Sequence, residues 1–108
     1  MTTQEFIQQM GKMPVANYND GTIHFENGLE ISHSVKLAEW QGDLPLQMVV
    51  RVSFQGDYVM TWGAETDEDN RQLVYMWRTL KSRAQERSKD IQQYNSRTGY
   101  ELLMKGLQ

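Results

Sequence analysis

From Leu29 to Leu37 the side chains alternate, with Leu29, Ile31, His33, Val35 and Leu37 on one side and Glu30, Ser32, Ser34 and Lys36 on the other. A period of two is that of a strand buried on one face. The pattern returns from Leu46 to Phe54, where Leu46, Met48, Val50, Val52 and Phe54 oppose Gln47, Val49, Arg51 and Ser53. Further on the period changes. Leu73, Trp77, Leu80, Ala84, Arg87, Ile91 and Tyr94 follow one another in steps of four and three, which lays a single seam along a helix.

Turn residues fix how the strands meet. Asn27-Gly28 is a hairpin signal, and the loop length decides the pairing. A two-residue loop would set Phe25 against Glu30. A three-residue loop, Glu26-Asn27-Gly28, pairs Phe25 with Leu29 and Ile23 with Ile31, and puts His24 opposite Glu30 on the other face. It separates oily from polar, so it is the expected one. The second hairpin is less determined. A Gly56-Asp57 loop suits the glycine, whereas a three-residue Gln55-Gly56-Asp57 loop aligns Tyr58, Met60 and Trp62 with the inner face. The longer loop is favoured.

Helix starts are marked by threonine followed three residues later by an acid, a pairing that satisfies free backbone N–H groups. Thr2 with Glu5 opens a helix through about Met10, with Gly11 as its stop. Thr66 with Asp69 opens the long helix, and Thr98 with Glu101 a short third one burying Tyr100, Leu103, Met104 and Leu107. The expected fold is α+β over a single domain, residues 1–108. A four-stranded antiparallel sheet of two hairpins carries a short N-terminal helix, one long helix and a short C-terminal helix on one face. A helix from Asp67 to Tyr94 would measure about 42 Å. Nine-residue strands cover about 30 Å. The helix therefore overshoots the sheet unless it breaks around Gln85 to Lys89.

Composition narrows the chemistry. There is no cysteine, so disulfides and thiolate zinc sites are excluded. No apolar run reaches the roughly 18 residues of a membrane span, and MTTQEFIQQM lacks the pattern of a secretory signal. A soluble, cytoplasmic protein with no membrane contact is expected. The net charge of −3 hides an asymmetry: residues 1–70 hold 11 acids and 3 bases, residues 71–108 hold 8 bases and 3 acids. Arg71, Arg78, Gln85 and Gln92 recur every seven residues, flanked by Lys81 and Lys89. This basic stripe suits a phosphate backbone or an acidic protein surface. Arg87 on the oily seam cannot be buried unpaired. Ala84, Arg87, Ile91 and Tyr94 are therefore expected to leave the core and meet a second copy in a homodimer.

His33 interrupts an aliphatic face and reads as a core or interface histidine rather than an active-site one. Together with Trp62 and Trp77 it could also line a pocket between sheet and helix. His24, Glu26 and Glu30 are too few and too mobile for a metal site. Glu65 to Asp69 is explained by capping and the helix dipole. No cofactor and no metal are expected, and nothing resembles a phosphate loop or a nucleophile motif. These features favour a non-enzymatic interaction module that binds and regulates or inhibits a larger macromolecular partner. Small accessory proteins of phages and mobile elements have this size and composition. The alternatives are a nucleic-acid-binding module using the basic stripe, and a small-ligand-binding domain using the pocket.

Overall fold

The structure is a computed structural model that describes residues 1–37 and 46–106; the side chains at 37 and 90–106 lie outside the described set. Helix α1 (Thr3–Lys12) is followed by β1 (Val15–Asn19), β2 (Thr22–Phe25), β3 (Leu29–Leu37), β4 (Leu46–Phe54), β5 (Asp57–Gly63) and helix α2 (Asp67–Gly106). The strands form one antiparallel sheet in chain order, β1-β2-β3-β4-β5. The α+β class and the antiparallel sheet hold. Among the described residues there are five strands rather than four, and two helices rather than three.

The additional strand is β1. Its turn to β2 is the two-residue loop Asp20-Gly21, with φ of 51° and 76° and Asn19 paired to Thr22. Positive φ at both loop residues matches the twist of the flanking strands. Ala16 is bulged between the pairs Val15–Phe25 and Asn17–His24. Val15 and Tyr18 consequently both pack against the core although they stand three positions apart. That extra residue hides the strand from a search for strict alternation.

The β2–β3 hairpin has the three-residue loop, with Gly28 at φ 94° and the expected Ile23–Ile31 and His24–Glu30 pairs. The β4–β5 hairpin differs. Its loop is Gln55-Gly56, with φ of 51° and 89°, and Phe54 pairs with Asp57. A bulge at Val59, between the pairs Ser53–Tyr58 and Val52–Met60, then shifts the alternation. Met60 and Trp62 reach the inner face as expected. Tyr58 does not: its ring lies under the Arg51 guanidinium at 5.2 Å, and its hydroxyl is 3.0 Å from that of Thr61.

Both helix starts carry the anticipated caps. Thr2 Oγ1 accepts from the Glu5 N–H, and Thr66 Oγ1 from the Asp69 N–H, each at 3.2 Å. Gly11 does not stop α1, which continues to Lys12 and ends at Met13. Likewise Thr98 opens no third helix, because α2 runs unbroken for 40 residues to Gly106. Once a helix is nucleated each further residue adds a hydrogen bond, and no proline interrupts it here. The side chains expected to pack beneath that third helix lie outside the described residues.

The core joins Phe6 and Met10 of α1 with Ile23, Phe25, Ile31, Met48, Val50 and Val52 of the sheet and Leu73, Met76, Trp77, Leu80 and Ala84 of α2. The expected seam of α2 is therefore the buried one as far as Ala84. Beyond it the helix is tied to the sheet at Ser88, whose Oγ accepts the Tyr18 N–H at 3.1 Å and donates to the Ala84 carbonyl. A helix of this length measures about 60 Å, and the molecule extends over 69 × 27 × 21 Å. Helix α2 overshoots the sheet without breaking at Gln85 to Lys89. Among the described residues no helix is long and apolar enough to cross a membrane.

Candidate functional site

The sheet places α2 by means of Asn70, which is 2% exposed. Strand β5 leaves β4 after Gly63, so the β4 backbone loses its neighbour near Met48. The Asn70 side chain takes over that role. Its Oδ1 accepts the Met48 N–H at 3.0 Å and its Nδ2 donates to the Leu46 carbonyl at 3.3 Å. One amide thus satisfies both strand groups, as a paired strand would.

From this anchor α2 presents two flanks. One faces α1: Gln4 Nε2 donates to Gln72 Oε1 and to Asp69 Oδ1, and Arg83 Nη1 donates to the Gly11 carbonyl at 3.3 Å. These contacts advance together along both chains, so the helices run parallel and side by side. The other flank carries Arg71, Val74, Arg78 and Lys81, and it looks onto the lower ends of β3 and β4.

No described element covers that strip of sheet. Val35 is 55% exposed and Leu46 is 54% exposed, although both lie on the face that elsewhere forms the core. Strand length accounts for this. Nine residues of β3 span about 30 Å. Two helices side by side, each about 10 Å across, cover about 20 Å. The remainder is roughly one helix wide. It forms a slot of about 370 Å³ with Val35, Leu46 and Met48 in its floor and Val74, Trp77, Arg78 and Lys81 along its wall. Along the wall the surface continues past Arg71 to Tyr75, which is 73% exposed.

His33 sits in this slot. It is exposed and so is not a core histidine, since no described element lies over this strip of the sheet. Its ring packs on Trp77, centroids 4.5 Å apart and planes inclined at 53°. Trp77 itself is 4% exposed and belongs to the core. Trp62 is elsewhere: it stacks on Phe6 at 5.2 Å, and its Nε1 donates to Thr3 Oγ1 at 3.2 Å. The pocket expected from His33, Trp62 and Trp77 therefore divides, with the first and last in the slot and Trp62 beneath α1.

The basic stripe meets the slot through Arg78 and Lys81, with Arg71 on the surface that continues from it beside Leu46. Arg71 forms an exposed ion pair with Asp67 at 3.4 Å. Lys81 Nζ lies 5.2 Å from the Tyr18 ring centroid. No acid is among the described residues that line the slot. Gln85 and Lys89 are exposed further along α2, and the Gln92 side chain lies outside the described residues. Of the oligomer set, Arg87 is exposed, whereas Ala84 is fully buried in its own core and is not free for another subunit. The side chains of Ile91 and Tyr94 lie outside the described residues. Among the described residues no group of three or more histidines or acids is placed to hold a metal ion.

Sequence reasoning missed Val35, Leu46 and Tyr75 as surface residues. Alternation assigns a side chain to a face, and the reach of the helices over that face decides whether it is covered. The ratio of strand length to helix width was the signal that could have exposed the gap. No family model matches the chain, and neither a curated protein nor a solved structure shows significant similarity to it.

Proposed function

We propose that the chain is a non-enzymatic interaction module that binds and regulates a larger protein partner, seated in the slot beside α2. The observation that carries this reading is an exposed apolar floor, Val35 and Leu46, next to a wall that carries Arg78 and Lys81, with Arg71 and Tyr75 on the surface beyond. Exposed apolar area of this kind marks association surfaces, and arginine, tyrosine and tryptophan dominate their energetic centres. The setting we assign is the cytoplasm. Association of two copies through the part of α2 beyond Ser88 belongs to the same proposal, since a helix end projecting without a sheet beneath it is marginal in water.

The test is affinity capture from the source cells with the natural chain and with a Val35→Asp, Leu46→Asp variant. Both positions are exposed, so circular dichroism and Tm should be unchanged. A partner retained by the natural chain and lost by the variant supports the reading. Identical capture by both chains, or none by either, refutes it. Light scattering reads the mass of the purified chain, and a monomer of 12.6 kDa at all concentrations removes the homodimer.

Nucleic-acid binding is the second reading. Residues 71–89 carry Arg71, Arg78, Lys81, Arg83, Arg87 and Lys89 against the single acid Glu86. It requires affinity for duplex or single-stranded oligonucleotides that falls steeply with salt.

A further inference from the structure

Resting on the docking reading above, we infer that the slot receives an amphipathic helix of the partner whose apolar stripe is flanked by carboxylates. Two helices already lie parallel on this face of the sheet, and the strip beside α2 that no described element covers is, from strand length, about one helix wide. The floor offers Leu46 and Val35 to an apolar stripe. Arg78 and Lys81 on the wall offer positive charge, and Arg71, seven residues before Arg78 and paired with Asp67, extends the basic stripe over about 15 Å of helix. Carboxylates seven residues apart on an adjacent helix would face the two arginines.

The same charges select against other occupants. Two copies meeting slot to slot would oppose Arg71, Arg78 and Lys81 with themselves, and like charges across an interface are unfavourable. A phosphate backbone would satisfy the cations but leave Val35 and Leu46 facing sugar and water, losing their burial. An acidic amphipathic segment satisfies both halves of the surface.

The experiment measures fluorescence anisotropy of a labelled 15-residue synthetic peptide with leucines at helical spacing and glutamates on both flanks. Glutamine and lysine versions serve as comparisons. The glutamate peptide should bind the natural chain, the glutamine peptide about tenfold more weakly, and the lysine peptide not at all. Leu46→Asp should lose both the glutamate and the glutamine peptide. The combined variant Arg71→Glu, Arg78→Glu, Lys81→Glu should reject the glutamate peptide and accept the lysine peptide, a gain that a misfolded chain could not give. Arg78→Glu alone should shift preference the same way if the triple variant fails to fold.

Equal binding of glutamate and glutamine peptides overturns the inference, as does absence of binding or a charge-reversed chain that rejects the lysine peptide. Displacement of the glutamate peptide by duplex DNA, with DNA affinity unaffected by Leu46→Asp, overturns it in favour of nucleic acid. Binding that arises only after Trp40→Ala and Leu44→Ala overturns it in favour of the chain's own 38–45 segment. A failure here while the captured partner is still lost on Val35→Asp, Leu46→Asp removes the acidic helix and leaves the docking reading standing.

Discussion

Asn70→Ala should be among the most damaging single substitutions at a polar position in this chain. The asparagine is almost fully buried and makes two hydrogen bonds to β4, one to Met48 and one to Leu46. Truncation leaves the Met48 N–H without its acceptor in a site that excludes solvent, and an unsatisfied buried group costs about 1–3 kcal/mol. Loss of the second bond, to the Leu46 carbonyl, brings the total to about 2–4 kcal/mol. For a domain of this size that corresponds to a fall in Tm of at least about 10 °C. Urea unfolding followed by tryptophan fluorescence gives the difference as a shift of midpoint at unchanged slope. Asn70→Asp is the informative companion. Its carboxylate still accepts from Met48 but sets a negative charge against the Leu46 carbonyl, so it should not rescue stability. A cost below about 0.5 kcal/mol for Asn70→Ala, within the range of ordinary surface changes, would refute the idea that this side chain stands in for a missing strand. The assignment of the slot wall would then lose its anchor.

Gly28→Ala should cost about 1–2 kcal/mol from its positive φ alone, and more because the new Cβ would lie 2.9 Å from Phe54 Cε2; chemical denaturation measures it. Leu80→Ala, at a position 1% exposed in the centre of the core, should lose about 2–5 kcal/mol, read the same way. Ser88→Ala should cost about 1 kcal/mol and raise the hydrogen-exchange rate of the Tyr18 amide, whose acceptor it removes.

Much of this arrangement could be read in advance where one local rule governed each choice. The seam Leu73, Trp77, Leu80 and Ala84, the caps at Thr2 and Thr66 and the Glu26–Gly28 loop all follow from spacing that tertiary structure did not alter. Bulges defeated the rest. An extra residue at Ala16 hid β1; at the second hairpin a loop one residue shorter than expected turned Tyr58 outward, and the extra residue at Val59 returned Met60 and Trp62 to the inner face. Thr98 resembled a helix start, but a capping motif acts only where the preceding chain is not already helical. His33 was assigned to the correct face but left between core and interface, because alternation carries no information on how far α1 and α2 extend over that face. The cations of the slot were legible as a stripe, whereas its floor emerged only when strands and helices were laid over one another.

The sheet's two margins are unlike. At β1 the outward Tyr18 amide is engaged by Ser88, and α2 passes over that margin. At β5 the run Tyr58 to Gly63 carries no charged side chain, and Val59 stands half in solvent. Lateral zipping of one molecule's backbone to another's is thus hindered at Tyr18 and open along Tyr58 to Gly63. Polymerisation by strand addition needs both margins, so the Ser88 contact works against growth into a fibre.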